Sequence, residues 1–580
     1  MRIAGKGLIN REKTLNFKFD GLSYKGFEGD TVASALLASG KKIFGRSFKY
    51  HRPRGVLTAG SEEPNALITV GQGAFQDPNV RATTQEIFEG LITKSQNNWP
   101  NLQYDILSIN DLFSNFLGAG FYYKTFMWPK SFWEKIYEPF IRRAAGLGAL
   151  SGLHNSDTYE KAYAFCDLLI IGGGPSGLMA AKIAAEAGLD VILAEQEPIF
   201  GGRLNSETEK VDGIPGSDWA AKIIEELKAL DNVRLYLRTT VTGVYDQGTF
   251  AAVERVGHHL PDRGSDRPLE CFWRIVAKNS ILAAGAIERG IAFPNNDRPG
   301  IMAASAVRTY LNRFGVSPGR SIALFCNNNT AHNTAKDLLE SGINIAAVID
   351  SREDSKTDLD VPFYNGAEVS NTFGRQGLNS IIVKKNNTES KIEVDCLAVS
   401  GGWNPTLHLT CHMNGRPTWD EKILSFVPEN GAIPNMAVVG AANGLMDTHS
   451  CFASAQKEIG LIIKALGKTA KTKRLPKAEI TKYEISPKWC VDGKGRAWLD
   501  YQNDVTVKDI QQSVKENFKS VEHMKRYTTQ GMAIDQGKNS NVAALAILAD
   551  ATGRGIPETG TTTFRPPFVP VSIASMGKNA

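Results

Sequence analysis

Cysteine is scarce in this chain, which has seven in 580 residues. None precedes Cys166, and the two that lie closest in sequence, Cys396 and Cys411, are too far apart to form a C-x-x-C pair. This spacing excludes the redox pair of a flavin disulfide reductase and the cysteine clusters that bind iron–sulfur centres. Scattered single thiols are typical of a reducing compartment.

The chain also lacks a large excess of one charge: it has 66 Lys and Arg residues and 61 Asp and Glu residues, which gives a formal net charge of +5. That balance gives no argument for nucleic acid, and we interpret the basic run 471–474 as a solvated face. Met1–Lys13 has no apolar h-region, and the apolar stretch Phe113–Pro129 is interrupted by Asn115 and Lys124 and is too short to span a bilayer. We therefore expect a cytoplasmic protein with no membrane partner.

Recognisable catalytic machinery is missing too. No G-x-S-x-G or Ser-His-Asp arrangement stands out. His408, Cys411 and His412 have helix-compatible metal spacing without an H-E-x-x-H motif, so we interpret them as structural and expect no metal. His449, near Asp447, is either a base or a satisfied polar contact. The catalytic residues stay unassigned.

What the chain does contain is a dinucleotide motif. Asp167–Ile171 is a short apolar strand that leads into Gly172-Gly-Gly-Pro-Ser-Gly177, and Leu178–Gly188 is predicted to be a helix. In the pattern G-x-G-x-x-G, the first glycine makes the tight turn, the second lets the backbone approach a pyrophosphate, and the third lets helix and strand pack closely. The helix N-terminus then offers N–H groups to the phosphates.

Glu195 follows a second apolar strand, Asp190–Ala194, at the spacing of a ribose-binding acid. Its carboxylate can accept hydrogen bonds from both ribose hydroxyls and would repel a 2′-phosphate. NAD or FAD therefore fits and NADP does not. The sequence does not separate NAD from FAD, because both need the same turn and acid.

Other segments are expected to complete this site. Gly201-Gly202-Arg203 is either a contact to the pyrophosphate, which we favour, or a surface turn. The residues expected to bind the dinucleotide are Gly172, Gly174, Pro175, Ser176, Gly177, Glu195, Gln196, Gly202, Arg203, Thr240, Val241, Gly285, Gly440, Leu445 and Thr448.

A second Rossmann-like unit starts at Ser321–Cys326, but its loop, Asn327–Ala331, has no glycine. Bulky side chains stand where phosphate would enter, so we expect this half to be structural or to bind differently. The basic aromatic loop Gly45–Gly55 is either a solvated loop or a contact to a cofactor phosphate or a partner.

Composition and pattern divide the chain into a β-rich module, an aromatic helical connection, the first part of a Rossmann domain, an inserted Rossmann-like domain, a return to the first domain and a helical C-terminal module. Their ranges are 1–95, 96–165, 166–318, 319–400, 401–470 and 471–580. We expect Thr561–Pro567 to form an extended strand.

Long strings in the sequence resemble the α subunit of heterotetrameric sarcosine oxidases. They are Gly45–Gly55, Gly60–Ala66, Asp504–Val507, Ser520–Thr529 and Gly560–Pro567, together with the glycine loop and Glu195. The resemblance implies an α/β, glutathione-reductase-like fold with two dinucleotide-binding domains, an N-terminal ferredoxin-like β-grasp module and a mainly helical C-terminal module. With no cysteine before Cys166, that N-terminal module holds no iron–sulfur cluster.

The resemblance also implies a function. The α subunit binds NAD⁺, a β subunit carries FAD, FMN lies at the α/β interface, and γ and δ subunits complete the assembly. Sarcosine is oxidised to glycine and O₂ is reduced to H₂O₂. The family's α subunit continues into a folate-binding, aminomethyltransferase-like domain; this sequence stops at Ala580, as a fragment or a separately encoded chain, so tetrahydrofolate binding is not expected of it.

Two other interpretations remain. The chain could be a subunit of an FAD-dependent amine or opine dehydrogenase built on the same scaffold, or a non-catalytic scaffold with a vestigial glycine loop. The bound cofactor distinguishes the three interpretations: NAD favours the sarcosine oxidase α subunit, FAD favours the amine or opine dehydrogenase, and no cofactor favours the scaffold.

Overall fold

A computed structural model describes residues 1–144, 146–262, 267–429, 431–469 and 474–577. By compactness the chain divides into two units of three segments each. The first unit is Met1–Ser156, Glu288–Gly402 and Ile485–Thr562, and the second is Asp157–Ile287, Trp403–Glu484 and Thr563–Ala580. The six finer ranges stay a prediction, and the boundary at 470/471, like most of the basic run 471–474, lies outside the described residues.

The first unit opens with a five-stranded sheet. Alternating residues of its longest strand, such as Phe17 and Phe19, are buried against helix Val32–Ala38. The dipeptide Asp20-Gly21 is typical of a hairpin turn, and both residues have positive φ, as a tight hairpin turn requires. In order across the sheet, the strands are Leu22–Glu28, Asn10–Phe19, Leu91–Ser95, Leu67–Val70 and Asp77–Arg81.

The connection 96–165 is partly helical: helices are present there as predicted, but as five short elements separated by irregular chain. Leu102 and Phe121 are buried, but many other apolar residues of the connection are exposed, so tertiary packing does little to extend these short helices. The elements are Ile106–Asp111, Ser114–Phe116, Phe121–Lys124, Trp133–Tyr137 and Glu138–Ala144. Strand Tyr159–Ile171 begins earlier than predicted. Its first half is largely exposed and pairs only with strand Glu270–Leu282, so it lacks the apolar run that marks the second half in the sequence.

A parallel sheet forms the second layer of the first unit. Its central strands are fully buried, with Leu324 and Val348 inaccessible to solvent, which is typical of parallel sheets covered on both faces. The predicted strand Ser321–Cys326 is confirmed. Across the sheet the strands are Ile301–Ala303, Cys396–Ser400, Ser321–Cys326, Asn344–Asp350 and Phe363–Asn365, with helices Ala304–Asn312 and Thr330–Glu340 and a separate antiparallel sheet of Glu368–Phe373, Ser380–Lys385 and Thr388–Glu393.

The C-terminal part of the first unit is mainly helical, as predicted. Thr506 caps the first helix in a capping box with Asp509. The predicted strand at 561–567 is wrong: these residues pair with no strand, and Pro566 and Pro567 have no N–H to donate. The elements are strands Trp498–Asp500 and Val505–Thr506 and helices Val507–Lys515, Val521–Thr528, Asn541–Thr552 and Ile556–Thr559.

The second unit is a sheet with an apolar cluster on each face. Its strand order is Val233–Tyr236, Val191–Ala194, Tyr159–Ile171, Glu270–Leu282, Thr249–Arg255 and Thr239–Tyr245, and Met436–Val438 also pairs with Glu270–Leu282. Its helices are Pro175–Glu186, Gly216–Lys228, Thr448–Ala465 and Ile573–Met576. Shorter elements are Gly202–Asn205, Lys210–Val211, Ile214–Pro215, Ala286–Glu288, Trp403–Pro405, His408–Cys411, Thr418–Asp420, Ser425–Val427 and Gly440–Asn443. Within the described ranges no helix is long and apolar enough to cross a membrane.

The basic loop Gly45–Gly55 is largely buried in the first unit, so the interpretation as a solvated loop does not fit. Arg52 pairs with Asp297 at 2.6 Å, and the buried Arg54 pairs with Asp297 and Asp504. Burial alone would raise the pKa of Asp297, but the two arginines hold it at about 2. These guanidinium groups neutralise carboxylates of their own chain, which leaves them poorly suited to a cofactor phosphate.

Replacing Asp504 should strongly destabilise the first unit. Asp504→Asn keeps the shape of a side chain that accepts the Lys49 N–H at 2.7 Å, but it leaves Arg54 buried with less compensating charge. We expect a loss of about 3–5 kcal/mol in the free energy of unfolding. Glu225→Gln, at an exposed pair with Lys228, is the control and should cost less than about 1 kcal/mol. Denaturant unfolding measures both, and equal losses would contradict this account.

Candidate dinucleotide site

The glycine loop joins strand Tyr159–Ile171 to helix Pro175–Glu186. Gly172 has φ +104°, a conformation that L side chains rarely adopt. A Cβ on Gly177 would lie 1.9 Å from the Gly172 carbonyl oxygen, so only glycine permits this packing of helix on strand. A Cβ on Gly174 would instead meet nothing nearer than 3.9 Å. Packing requires Gly177, whereas the space beside Gly174 is open to a ligand.

Glu195 lies directly after strand Val191–Ala194 and is almost fully buried. One carboxylate oxygen accepts the Gly173 N–H at 2.7 Å, and the other accepts the Glu197 N–H at 2.9 Å. The Thr239 N–H donates to the Glu195 carbonyl, which places Thr240 and Val241 beside the acid along strand Thr239–Tyr245. The acid therefore lies against the glycine loop, as its predicted role requires.

Gly202 lies against Gly174: with its φ of +53°, a Cβ on Gly202 would be 2.9 Å from the Gly174 Cα. The neighbouring Arg203 has partners of its own, since its guanidinium lies 3.0 Å from Glu207 and donates to the Met446 carbonyl at 2.5 Å. Burial would lower the pKa of Arg203, but the carboxylates raise it above its ordinary value. A contact from Arg203 to phosphate stays a prediction.

A second helix begins at the same place. Gly440, with φ +65°, lies so close to Ser176 that a Cβ would be 2.3 Å from its hydroxyl oxygen. The Ser176 hydroxyl donates to the Cys451 carbonyl in the first turn of helix Thr448–Ala465. The Thr448 hydroxyl donates to Glu209 at 2.6 Å. Two helix N-termini therefore converge on the glycine loop, which favours an anionic ligand there.

The remaining predicted residues are more loosely placed. Gly285 has φ +70° and lies two residues after Ala283. The Ala283 carbonyl oxygen is so close to Gly172 that a Cβ on Gly172 would lie 2.5 Å from it. The Leu445 N–H donates to the Gly440 carbonyl. The Gln196 carbonyl accepts a hydrogen bond from Arg255, and no described contact joins its backbone to the glycine loop. We call Gly172, Gly174, Gly202, Gly440 and Glu195 the dinucleotide cradle.

Sequence reasoning missed the roles of three residues of this site. The Ser454 hydroxyl accepts the Gly440 N–H at 2.9 Å. Asp447 caps helix Thr448–Ala465 by accepting the Ser450 N–H, and Glu209 holds Thr448. Only the cap had a signal, because Asp three residues before Ser450 is typical of a helix N-terminus. Asp447 thus has a structural partner, and a role for His449 as a base stays untested.

The second Rossmann-like loop is filled by its own side chains. Asn327 donates to the Ser486 carbonyl at 2.8 Å, and Asn328 donates to the Ser400 hydroxyl at 2.9 Å. Both are buried. The acid at the end of the next strand, Asp350, accepts two hydrogen bonds from the Arg352 side chain, at 2.7 and 3.0 Å. This arrangement supports a structural role for the loop.

Two candidate metal groups do not behave as ligand sets. His412 is half-buried, which lowers its pKa to about 4, and its Nδ1 accepts the Val244 N–H at 3.4 Å. The His408 ring packs on Phe564 at 4.1 Å. Cys326, His332 and Asp350 do come together within 4.8 Å. However, Arg352 holds both carboxylate oxygens of Asp350, and its positive charge opposes a cation there.

A small cavity lies in the first unit. Its volume is about 30 Å³, enough for one or two waters but not for a nucleotide. Its lining includes Trp498, Asn539 and Glu288. Burial raises the pKa of Glu288 to about 7, although hydrogen bonds from Ser400 and Ser305 oppose the rise. This cavity is therefore too small to be an alternative dinucleotide site.

Comparison with known proteins adds family matches along the chain. Residues 494–579 match the family model "Sarcosine oxidase A3 domain", 12–98 match "2Fe-2S iron-sulfur cluster binding domain", and 167–229 match "FAD dependent oxidoreductase". The matched range 12–98 contains no cysteine, so its residues do not fit an iron–sulfur cluster, whose ligands are cysteine thiolates.

Similar proteins cover most of the chain. The alpha subunit of a sarcosine oxidase from Rhizobium meliloti (strain 1021) is 46% identical over 99% of this chain and 59% of its own length. One chain of an opine oxidase from Agrobacterium tumefaciens (strain Ach5) is 28% identical over 33% of this chain and 37% of its own length. The crystal structure of L-proline dehydrogenase from P. horikoshii superposes with a TM-score of 0.72 at 20% identity, covering both chains fully, which shows the fold alone. This chain spans about three-fifths of its sarcosine oxidase relative.

Substitutions at two glycines should separate packing from binding. Gly177→Ala places a methyl group on the Gly172 carbonyl and should cost at least about 2 kcal/mol in unfolding free energy. In Gly174→Val the Cβ would meet no atom of the chain nearer than 3.9 Å, so this variant should be destabilised less than Gly177→Ala, yet it should abolish dinucleotide binding. Thermal unfolding of dinucleotide-free protein and assay of bound dinucleotide measure these effects. Full dinucleotide content in Gly174→Val would contradict the assignment.

Glu195→Ala should lose bound dinucleotide. Each hydrogen bond from a ribose hydroxyl to the carboxylate contributes roughly 1.5–3 kcal/mol, so losing two should weaken binding about 10²- to 10⁴-fold. Glu195→Gln is the matched variant: it keeps an acceptor near the Gly173 N–H and should show an intermediate loss. Titration with the released dinucleotide measures both. Wild-type affinity in Glu195→Ala would rule out this role.

Proposed function

The chain belongs to the family of sarcosine oxidase alpha subunits, and from that premise we propose that it is the NAD⁺-binding chain of a multi-subunit sarcosine oxidase. The assembly would oxidatively demethylate sarcosine to glycine and reduce O₂ to H₂O₂. Because the chain spans 59% of its relative, the activity of the whole enzyme is part of the proposal.

The dinucleotide cradle carries this proposal. One glycine loop has an open approach at Gly174, a convergent pair of helix N-termini and a buried acid at Glu195. The other loop is closed by Asn327 and Asn328. The chain therefore has residues for one dinucleotide, and we infer that it is NAD⁺, as the family resemblance implies.

Each part of the cradle has a task in binding. The N–H groups that begin helix Pro175–Glu186 would bind the pyrophosphate, with Gly202 and Gly440 allowing its close approach. Glu195 would accept both hydroxyls of one ribose and exclude a 2′-phosphate. NAD⁺ supplies a hydride acceptor in enzymes that use it; no hydride donor site beside the cradle is evident among the described residues, so we propose a structural role.

The other cofactors belong to partners in this proposal. We assign FAD to a β subunit, with FMN at the interface between that partner and this chain, and we place γ and δ subunits in the same assembly. Arg52 and Arg54 are paired within this chain and do not fit the FMN phosphate. No residue here is assigned to catalysis or to tetrahydrofolate. We propose a cytoplasmic location.

A second candidate is membership of an FAD-dependent amine or opine dehydrogenase. The observation that favours it is the similarity to an opine oxidase chain, together with the match of 167–229 to FAD-dependent oxidoreductases. That opine oxidase chain is similar over a third of this chain, whereas the sarcosine oxidase relative is similar over 99% of it. We therefore prefer the first.

The chain alone should not oxidise sarcosine. We expect no peroxide from residues 1–580 by themselves, because the described residues offer one dinucleotide cradle and no amine site beside a flavin. Co-expression with the β, γ and δ subunits should restore sarcosine-dependent peroxide at least 100-fold above the lone chain. Octopine and nopaline serve as control substrates. Flavin-dependent turnover by the lone chain, or oxidation of opines in preference to sarcosine by the assembly, would favour the second candidate.

A further inference from the structure

An unusual concentration of apolar side chains is exposed along residues 99–133. Twelve large apolar residues of this segment are exposed, among them Leu112 at 80% and Trp128 at 82%. We call the exposed apolar side chains of residues 99–133 the aromatic face. Scattered exposed apolar residues are normal, but a run of this density marks an interaction site.

The area of the aromatic face suits a protein interface. Taking about 200 Å² for each large side chain, twelve residues whose mean exposure is about one half present on the order of 1,200 Å². The largest apolar patch on a typical monomer is about 300–600 Å², and a standard interface buries about 800 Å² on each partner. The exposed apolar area of residues 99–133, taken together, thus exceeds what one partner of a standard interface buries.

The backbone beneath the aromatic face is held in place. The Ala119 N–H donates to Asp509 at 2.9 Å, and its carbonyl accepts the Tyr527 hydroxyl at 3.2 Å. The Tyr50 hydroxyl donates to the Leu117 carbonyl at 3.2 Å. The segment thus presents apolar side chains from an anchored backbone, and such pre-organisation lowers the entropy lost on association.

Charge decides which kind of partner the aromatic face fits. Residues 99–133 contain four charged residues, Asp105, Asp111, Lys124 and Lys130, whose charges sum to zero. Three of them pair within the chain: Asp105 with His51 at 2.8 Å, Asp111 with Arg52 and Arg496, and Lys124 with Glu516. A segment that binds an anionic membrane carries an excess of Lys and Arg, whereas the centre of a protein interface is rich in aromatics and poor in charge.

We propose that the aromatic face docks another subunit of the same oxidase, through an apolar and uncharged surface of that subunit. The choice of a different subunit rests on the proposed function, since the relative is named as the alpha subunit of its enzyme. A second copy of this chain and a membrane are the competing occupants.

The test uses the full chain co-expressed with the β, γ and δ subunits. Leu112→Ser/Trp128→Ser removes two of the most exposed residues of the aromatic face, and Leu22→Ser/Ile480→Ser removes two exposed apolar residues elsewhere. We expect the first variant to lose at least tenfold in affinity for the other subunits, by light scattering and titration. The control should assemble like the wild type. Both variants should keep the wild-type melting temperature and dinucleotide content.

Three results would overturn the docking proposal. The first is assembly of Leu112→Ser/Trp128→Ser with wild-type affinity. The second is a dimer of the lone chain that this variant alone dissociates, which would assign the face to a second copy. The third is binding of the lone chain to phosphatidylcholine/phosphatidylserine vesicles that the variant loses. Failure of the proposed function is distinguishable, because then the wild type and both variants alike would join none of the three subunits.

Discussion

The contact between Gly177 and the Gly172 carbonyl constrains the candidate site more than any other. With 1.9 Å between that oxygen and the position a Cβ would take, helix Pro175–Glu186 can pack on its strand only if residue 177 is glycine. This packing sets where the helix begins and hence where its first N–H groups lie. Gly174, Gly202 and Glu195 are placed around that N-terminus, so the open space beside Gly174 depends on a contact made on the other side of the loop.

Paired buried charge has a comparable role in the first unit. Arg54 is almost inaccessible to solvent and is balanced by Asp297 and Asp504, which lie far along the chain. Burying these groups singly would be costly, and together they fix the loop Gly45–Gly55 among segments that are distant in sequence. A loop that looks basic in the sequence is therefore electrically compensated in the fold.

The glycine loop and Glu195 could be predicted because their signals are local: a strand, three glycines, a helix and an acid follow one another within one short stretch. The same holds for the turn at Asp20 and Gly21. The partners of Arg52, Arg54 and Arg203 could not be predicted, because nothing in the sequence says which distant or neighbouring carboxylates will neutralise a basic residue. The helices of the aromatic connection 96–165 were predicted less accurately for another reason. Its apolar residues predicted helices, but most of the large ones remain exposed and the helical elements are short.

The identity of the bound dinucleotide tests the central claim most directly, because the geometry of the cradle accepts either NAD or FAD. The chain can be purified, its cofactor released by heat, and the supernatant identified by mass. We predict NAD⁺ at close to one per chain, in protein expressed without the flavin-carrying partner. FAD in its place, or a chain that is folded and holds no dinucleotide, would contradict the account.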